Sequence, residues 1–585
     1  MMDTVIRNGV LVDGSGIPRF RGDLGIDRGR IVALGEVAQR GDSEVDAGGA
    51  VIAPGFIDIH THYDAQAFWD PMLSPSVFHG VTTVLAGNCG FSLAPLSGRP
   101  EDADYLLRML SRVEGMPLAT LRAAVKADWR SFGEYLDKID GTLAINSAFM
   151  VGHSALRRAV MGARAVTDSA TPAEIEAMSA LLRRSIEEGG VGFSTTIAAS
   201  HSDYEGHPVP SRAATREEMV TLAGVVGEYP GTWLEMVFGV VSMREEHYTL
   251  GADMSRAAGR PLNWNAIQIN TGKLELVEDS LRASDYAQAR GATVYALIPA
   301  TPMVTLLNFV NCFLIDTIPG WSDLVPLSLA ERREALGSPA FRSHLKEGAS
   351  KARTMPEARV TQWPIFVLKG LSLPHNVRWN GQRLGDCAEA LGKEPLDALF
   401  DFAVEENLGV SFERTAESTD ERSWTIRREL WRDPRCMIGG SDAGAHLDML
   451  NSFAFSTQLL GEGVRQRELL SLEEAVHRIT GLPAERFGLT GRGRIAVGAT
   501  ADLVIFDPET VDCGPIAMRN DLPGGEARLY ADAIGVREVI VGGVTVARDN
   551  RPTGRKGGKV LRSGLDTHTV AVGEAGGGRG GSYDG

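Results

Sequence analysis

The segment Pro54-Gly55-Phe56-Ile57-Asp58-Ile59-His60-Thr61-His62-Tyr63-Asp64 carries the strongest chemical signal in this chain. Phe56, Ile57 and Ile59 read as a short buried strand. His60 and His62 stand two apart, so a strand turns both imidazoles to one face. Two imidazoles held there suit a zinc-like ion. The plain alternative is two ordinary histidines on a turn; the strand and the Pro-Gly entry weigh against it. A second signal is Gly440-Ser441-Asp442-Ala443-Gly444-Ala445-His446, which follows the apolar strand Cys436 to Ile438. A carboxylate at a strand end can touch an ion, take a proton from water and pass it to a leaving group. Its plain alternative is an Asp that caps a loop. In a third, the strand Val81 to Ala86 runs into a tight turn that ends in Cys89. A thiolate there favours zinc over magnesium; a small buried cysteine is the plain alternative.

Weaker candidates surround these three. The loop His201 to Arg212 follows a strand and is rich in polar types. His201 or His207 would contact substrate or supply a metal ligand, or else sit on a solvated loop. His153 ends a predicted strand and faces the same choice. His446 stands four residues beyond Asp442 and would assist leaving-group protonation. Trp233, Trp264 and Tyr295 would line an aromatic pocket or else pack in the core.

Positioning these residues requires strands with helical crossovers. Thr171-Pro172-Ala173-Glu174 sets a capping box with Pro at the first helical position. Ile175, Met178, Leu182 and Ile186 then recur at helical spacing, and Gly189-Gly190 stops the helix. The strand Val191 to Thr195 follows. Thr215-Arg216-Glu217-Glu218 and Ser471-Leu472-Glu473-Glu474 open further helices. This alternation predicts parallel strands; alone it does not separate a closed barrel from an open sheet. Short strands and turns fill both ends of the chain. The expected division is a small β domain from residues 1–53 plus 490–550, a central α/β domain over 54–489, and a flexible Gly-rich tail over 551–585. Residues 301–370 break the rhythm and read as an insertion at the mouth, either a lid or a surface excursion.

The chain has 585 residues, 59 Lys plus Arg and 75 Asp plus Glu, for a net charge of −16. That balance argues against nucleic acid, whose binding rests on basic residues. No apolar run is long enough to span a bilayer, and no signal peptide stands at the N-terminus. Five scattered cysteines suit a reducing compartment, so the expectation is a cytoplasmic protein with a small-molecule substrate and no membrane partner. A homo-oligomer and a monomer fit the sequence equally.

With PGFIDIHTHYD, GNCGFSLAPL, FMVGHSALR, VGFST, GGSDAG and GRGRIAVGATADLVIFD, the chain resembles the N-acyl-D-amino-acid deacylases (D-aminoacylases) of the amidohydrolase superfamily along most of its length. The resemblance implies a (β/α)8 TIM-like barrel with a β-sandwich made from both termini. It implies metal ligation by His60, His62 and Cys89, with Asp442 as ligand and general acid/base. Three positions depart from it. The fifth strand of these deacylases carries a histidine where this chain has Glu235, and the sixth carries one where it has Asn265. The lysine that follows and helps hold a substrate carboxylate is absent; Arg212 and Arg244 are its candidate replacements. The expectation is therefore one Zn2+ on His60, His62 and Asp442, with Cys89 and Glu235 as further candidates and a second ion left open. The expected activity is hydrolysis of a non-peptide amide-type C–N bond in a neutral or partly aromatic molecule. The rival readings are a decarboxylase or lyase on the same barrel, and a non-catalytic binding protein with a degenerate site.

Overall fold

The computed structural model describes residues 2–239, 243–312, 314–352, 360–414 and 419–573. Eight strands form its centre: β1 (Phe56–Asp58), β2 (Val81–Ala86), β3 (Asn146–Phe149, resuming as Val151–Gly152), β4 (Gly192–Thr196), β5 (Trp233–Val237), β6 (Leu262–Trp264), β7 (Val294–Ile298) and β8 (Cys436–Ile438). Each pairs in parallel with the next. Just beyond β8 and β1 the ring meets itself. Thr61 bridges Ala443, the Asp442 N–H donates to the His60 carbonyl at 3.2 Å, and the His62 N–H donates to the Ala443 carbonyl at 2.8 Å. The protein is a (β/α)8 barrel, with its strand ends gathered at one mouth.

Local sequence explains the crossovers. The helix Pro172–Glu187 begins at the expected capping box, with the Thr171 N–H on Glu174 Oε2 at 2.8 Å. Met178, Leu182 and Ile186 form its buried stripe. At Gly192 (φ 152°) a side chain would collide with the Trp233 carbonyl, so glycine lets β4 lie against β5. Inward residues, among them Ile57, Leu85, Ala148, Tyr295, Leu297 and Met437, fill the barrel as one cluster.

Both termini contribute to a nine-stranded sheet beside the barrel. Leu503–Phe506 pairs antiparallel with Val51–Pro54 and so joins the two halves. Ile6, Leu24, Ile52, Leu503 and Ile540 share its core.

Two segments differ from the sequence expectation. The excursion between β7 and β8 extends past residue 370 to Arg414. It holds a three-stranded antiparallel sheet (Thr305–Asn308, Val367–Lys369, Ser411–Arg414) and a core of its own, in which Trp321 stacks on Trp363 at 5.1 Å. Its helices Leu384–Leu391 and Pro395–Glu405 are amphipathic like those of the barrel, so composition does not mark them off. The tail, expected to be flexible from residue 551, is packed through residue 573; residues 574–585 lie outside the described residues. Val560–Leu561 pairs in parallel with Ser147 and Ala148 of β3. Leu561 is fully buried in the barrel interior. Among the described residues no helix is long and apolar enough to cross a membrane.

Leu561 thus completes the barrel core from the far end of the chain. Leu561→Ala is expected to destabilise the protein by about 2–5 kcal/mol, as for other buried leucines. Thermal unfolding checks this: the midpoint should drop by several degrees, and an unchanged midpoint would contradict the packing.

Candidate metal centre

The backbone that continues β1 carries His60 and His62, both buried. Their Nε2 atoms face two further donors. His60 Nε2 lies 3.2 Å from Asp442 Oδ1 and 3.4 Å from Cys89 Sγ. His62 Nε2 lies 3.9 Å from Asp442 Oδ1 and 3.8 Å from Cys89 Sγ. Tetrahedral zinc, with Zn–N near 2.0–2.1 Å and Zn–S near 2.3 Å, places donors roughly 3.3 Å (N or O) and 3.6 Å (N to S) apart. His60, His62 and Cys89 offer ligand atoms that all lie within 4.8 Å of one another and can hold one such ion, with Asp442 beside the two imidazoles. Three non-glycine residues here take left-handed backbone: Cys89 (φ 58°), Asp442 (φ 50°) and His446 (φ 47°). Such conformations cost about 1–3 kcal/mol each and gather at functional sites.

The electrostatics also call for a cation. Burial pushes the Cys89 thiol well up, and the neighbouring Glu235, Glu114 and Asp442 push it further. Burial likewise raises Asp58, Asp64 and Glu235 to about 7 each. Asp442 is the exception. Burial works against its charge, but the bond to His60 and the charges of His60, His62 and His446 hold it down at about 2. His60 is raised in return: burial opposes its protonation, and Asp442 outweighs burial. Burial, then the charge of His60, drives His62 well down. His60 Nδ1, His62 Nδ1 and Glu235 Oε1 are buried without hydrogen-bond partners among the described residues. So dense a group of buried acids is compensated most simply by a divalent ion.

Glu235, expected as a ligand candidate, lies elsewhere. Its Oε2 accepts the Cys89 N–H at 2.7 Å, and its Oε1 stands 3.8 Å from His60 Nδ1, behind the ring. It is placed to orient His60 and the Cys89 turn rather than to join the four donors. Asn265 Nδ2 lies 3.2 Å from His60 Nε2 and donates to Asp442 Oδ1 at 3.3 Å, so its N–H end meets the donors. Glu114, which the sequence reading missed, follows the helix Pro100–Val113. Its carboxylate stands 3.5 Å from His62 Nδ1 and 3.8 Å from His446 Nε2. A lone Glu at a helix end gives no sequence signal.

A cavity of about 210 Å³ opens on this centre, lined by His62, Cys89, Glu114, His201, Asp442 and His446. Of the expected substrate residues, His201 and His446 are on it. His201 Nδ1 lies 2.9 Å from Thr196 Oγ1, and burial pushes its imidazole down to about 3. The other four are not. His207 is 57% exposed and turns toward Asp203 and Glu205. His153 is buried with Nδ1 on Thr195 Oγ1 at 2.8 Å and Nε2 on Glu218 Oε1 at 2.9 Å, in a network with Arg157. Trp264 alternates with Asn263 and Asn265 and so faces the outer layer, near Phe238. Tyr295 points inward but lies below the mouth, 4.1 Å from the Arg486 guanidinium. Trp233 packs edge-on against Phe487 in the same interior. The insertion supplies Met303, Thr305, Leu314 and Arg414 to the cavity wall. Neither Arg212, on the His201 carbonyl at 3.0 Å, nor Arg244, exposed beside Glu246, lines it. Arg414 and Arg427 do.

Residues 43–547 match the amidohydrolase family. Among curated relatives, the N-acyl-D-glutamate deacylase of Alcaligenes xylosoxydans xylosoxydans is 31% identical, over 96% of either chain. The D-aminoacylase of the same organism is 29% identical, over 96% of this chain and 97% of its own. Among solved structures, the N-acyl-D-glutamate deacylase of Bordetella bronchiseptica, complexed with zinc and a phosphonate mimic of the tetrahedral intermediate, superposes with a TM-score of 0.64. It is 26% identical, over 96% of this chain and all of its own.

The donor geometry predicts one divalent ion per chain, to be tested with zinc. Protein stripped with a chelator should take back one equivalent, and His62→Ala should lose it. Glu235→Gln should keep the stoichiometry but bind about 10–100-fold more weakly, as expected when a partner of a ligand is lost. Competition with a chromogenic chelator reads both quantities.

Proposed function

The chain belongs to the amidohydrolase family and is related to the N-acyl-D-amino-acid deacylases, and from that premise we propose that it hydrolyses the amide bond of a small N-acyl compound with one zinc ion on His60, His62, Cys89 and Asp442. The observation that carries this reading is the approach of His60 Nε2 and His62 Nε2 to Cys89 Sγ on one side and to Asp442 Oδ1 on the other, at 3.2–3.9 Å. A zinc ion there would supply Lewis acidity at the scissile carbonyl and a nucleophile at neutral pH.

The remaining work falls to side chains of this chain. Asp442, an anion at neutral pH, accepts the proton of the attacking water and returns it to the leaving nitrogen. Glu235 and Glu114 stand behind the His60 and His62 rings, 3.8 and 3.5 Å from their Nδ1 atoms, on the side where a charge partner for a metal-bound imidazole is placed. His446, buried in the wall and largely neutral, lies near the path of the leaving group. His201 and the insertion close the cavity over the bond and exclude bulk water. A cavity of about 210 Å³ limits the substrate to a small molecule. All five cysteines are free, which supports a reducing cytoplasm as the compartment.

Asp442→Asn is expected to cut turnover by about 10²–10⁴-fold, the range of a lost acid/base group, while part of the zinc remains bound. Amine release from a panel of N-acyl compounds in ¹⁸O-water measures this, and one labelled oxygen should enter the acid product. Near-normal turnover in the variant would contradict the assignment. Carbon dioxide release without label would point to a lyase.

A further inference from the structure

We propose that His201 accepts a hydrogen bond from the scissile amide N–H, so that the compound cleaved here is a secondary amide whose nitrogen still carries its hydrogen. The inference rests on the hydrolase reading and narrows its substrate class.

The Thr196 hydroxyl sets the ring. Its Oγ1 accepts the Ala198 N–H at 3.1 Å and donates to the Val237 carbonyl at 3.3 Å. With its one hydrogen spent there, it meets His201 Nδ1 at 2.9 Å as an acceptor. Nδ1 therefore carries the ring hydrogen, and Nε2 keeps a lone pair. Burial holds the imidazole neutral, with its pKa pushed down to about 3. Nε2 has no hydrogen-bond partner among the described residues, and the ring lines the cavity.

The residue is also held from behind. Its N–H donates to the Ala198 carbonyl at 3.0 Å, and its carbonyl accepts from Arg212 Nη1 at 3.0 Å. Its ring leans on Phe91, with centroids 5.3 Å apart. Further along the loop, Asp203 collects the N–H groups of Glu205 and His207 at 3.0 and 2.9 Å and the Tyr105 hydroxyl at 3.1 Å. An acceptor fixed in this way loses little entropy when a ligand arrives.

Position decides which donor it meets. The charges of His446, Asp442 and His60 all reach His201, so it stands at the metal end of the cavity. An N-acyl compound offers one donor at that end, the amide N–H; its carbonyl oxygen is an acceptor and turns to the cation. Holding the N–H also orients the nitrogen. As water adds to the carbonyl carbon, the nitrogen becomes pyramidal. With its hydrogen on His201, its lone pair is left for the proton that Asp442 returns. The proton passes from water through Asp442 to nitrogen, the C–N bond breaks, and His201 ends as it began.

The test uses full-length protein loaded with one equivalent of zinc. N-acetyl-leucine (each enantiomer) is paired with its ester isostere, 2-acetoxy-4-methylpentanoate, in which oxygen replaces the N–H. His201→Phe should lower kcat/KM for the amide by about 5–150-fold, the worth of one lost hydrogen-bond partner, and for the ester by less than about 3-fold. His201→Gln, which keeps an acceptor, should regain part of the loss. Equal losses for the two compounds overturn the proposal, because a structural role, or an Nε2–H that donates to the carbonyl, would strike both alike. An unchanged amide rate in His201→Phe overturns it too. If neither compound is hydrolysed, calorimetric binding to the same zinc-loaded protein decides. Tighter binding of the amide than of the ester, lost in His201→Phe, upholds the N–H contact while the hydrolase reading fails. Binding without preference, or no binding of either compound, overturns the contact as well.

Discussion

The seam between β8 and β1 is the constraint on which the site depends. Two main-chain bonds, Asp442 N–H to the His60 carbonyl and His62 N–H to the Ala443 carbonyl, close the barrel there. They also set the separation of the donors, because the residues that form them are the donors or their neighbours. Ser441 reinforces the seam, with its hydroxyl on Asp58 Oδ2 at 2.7 Å and 3.2 Å from the His60 carbonyl. Barrel closure and ligand spacing are one piece of geometry. A shift in strand register would therefore damage stability and chemistry together.

Around the seam the protein concentrates negative charge in a buried space. Asp58, Asp64, Glu114, Glu235 and Asp442 all lie within it. Only Asp442 is held firmly ionised, because histidines surround it; the others are raised by burial. The excursion between β7 and β8 adds Met303, Thr305, Leu314 and Arg414 to the wall of the cavity that opens on this charge.

Much of this was legible in the sequence, and the limits have physical causes. His60 and His62 were readable because strand geometry relates residues two apart. Asp442 and Cys89 were readable because each follows an apolar strand. The capping boxes at Thr171 and Ser471 located helix starts. Height along the barrel axis is not encoded in a two-residue period, so pocket and core both stayed open for Tyr295, which lies in the barrel core. Trp264 was assigned by type, while its position in the alternation turns it outward. The excursion was underestimated because its later helices have ordinary amphipathic spacing. Glu114 left no trace, since only the tertiary approach of a helix end to His62 gives it meaning.

Val560 and Leu561 pair with the lower half of β3, while Val151 and Gly152 of the same strand pair with β4 above. A late-made segment of the chain thus pairs with a strand made hundreds of residues earlier. During vectorial synthesis the lower edge of β3 emerges without its neighbour and waits for it. Unpaired strand edges invite association with other chains, so the nascent barrel carries an adhesive edge until residues 560–561 are made. That edge is covered only once the segment around Leu561 has been made and has folded back onto β3.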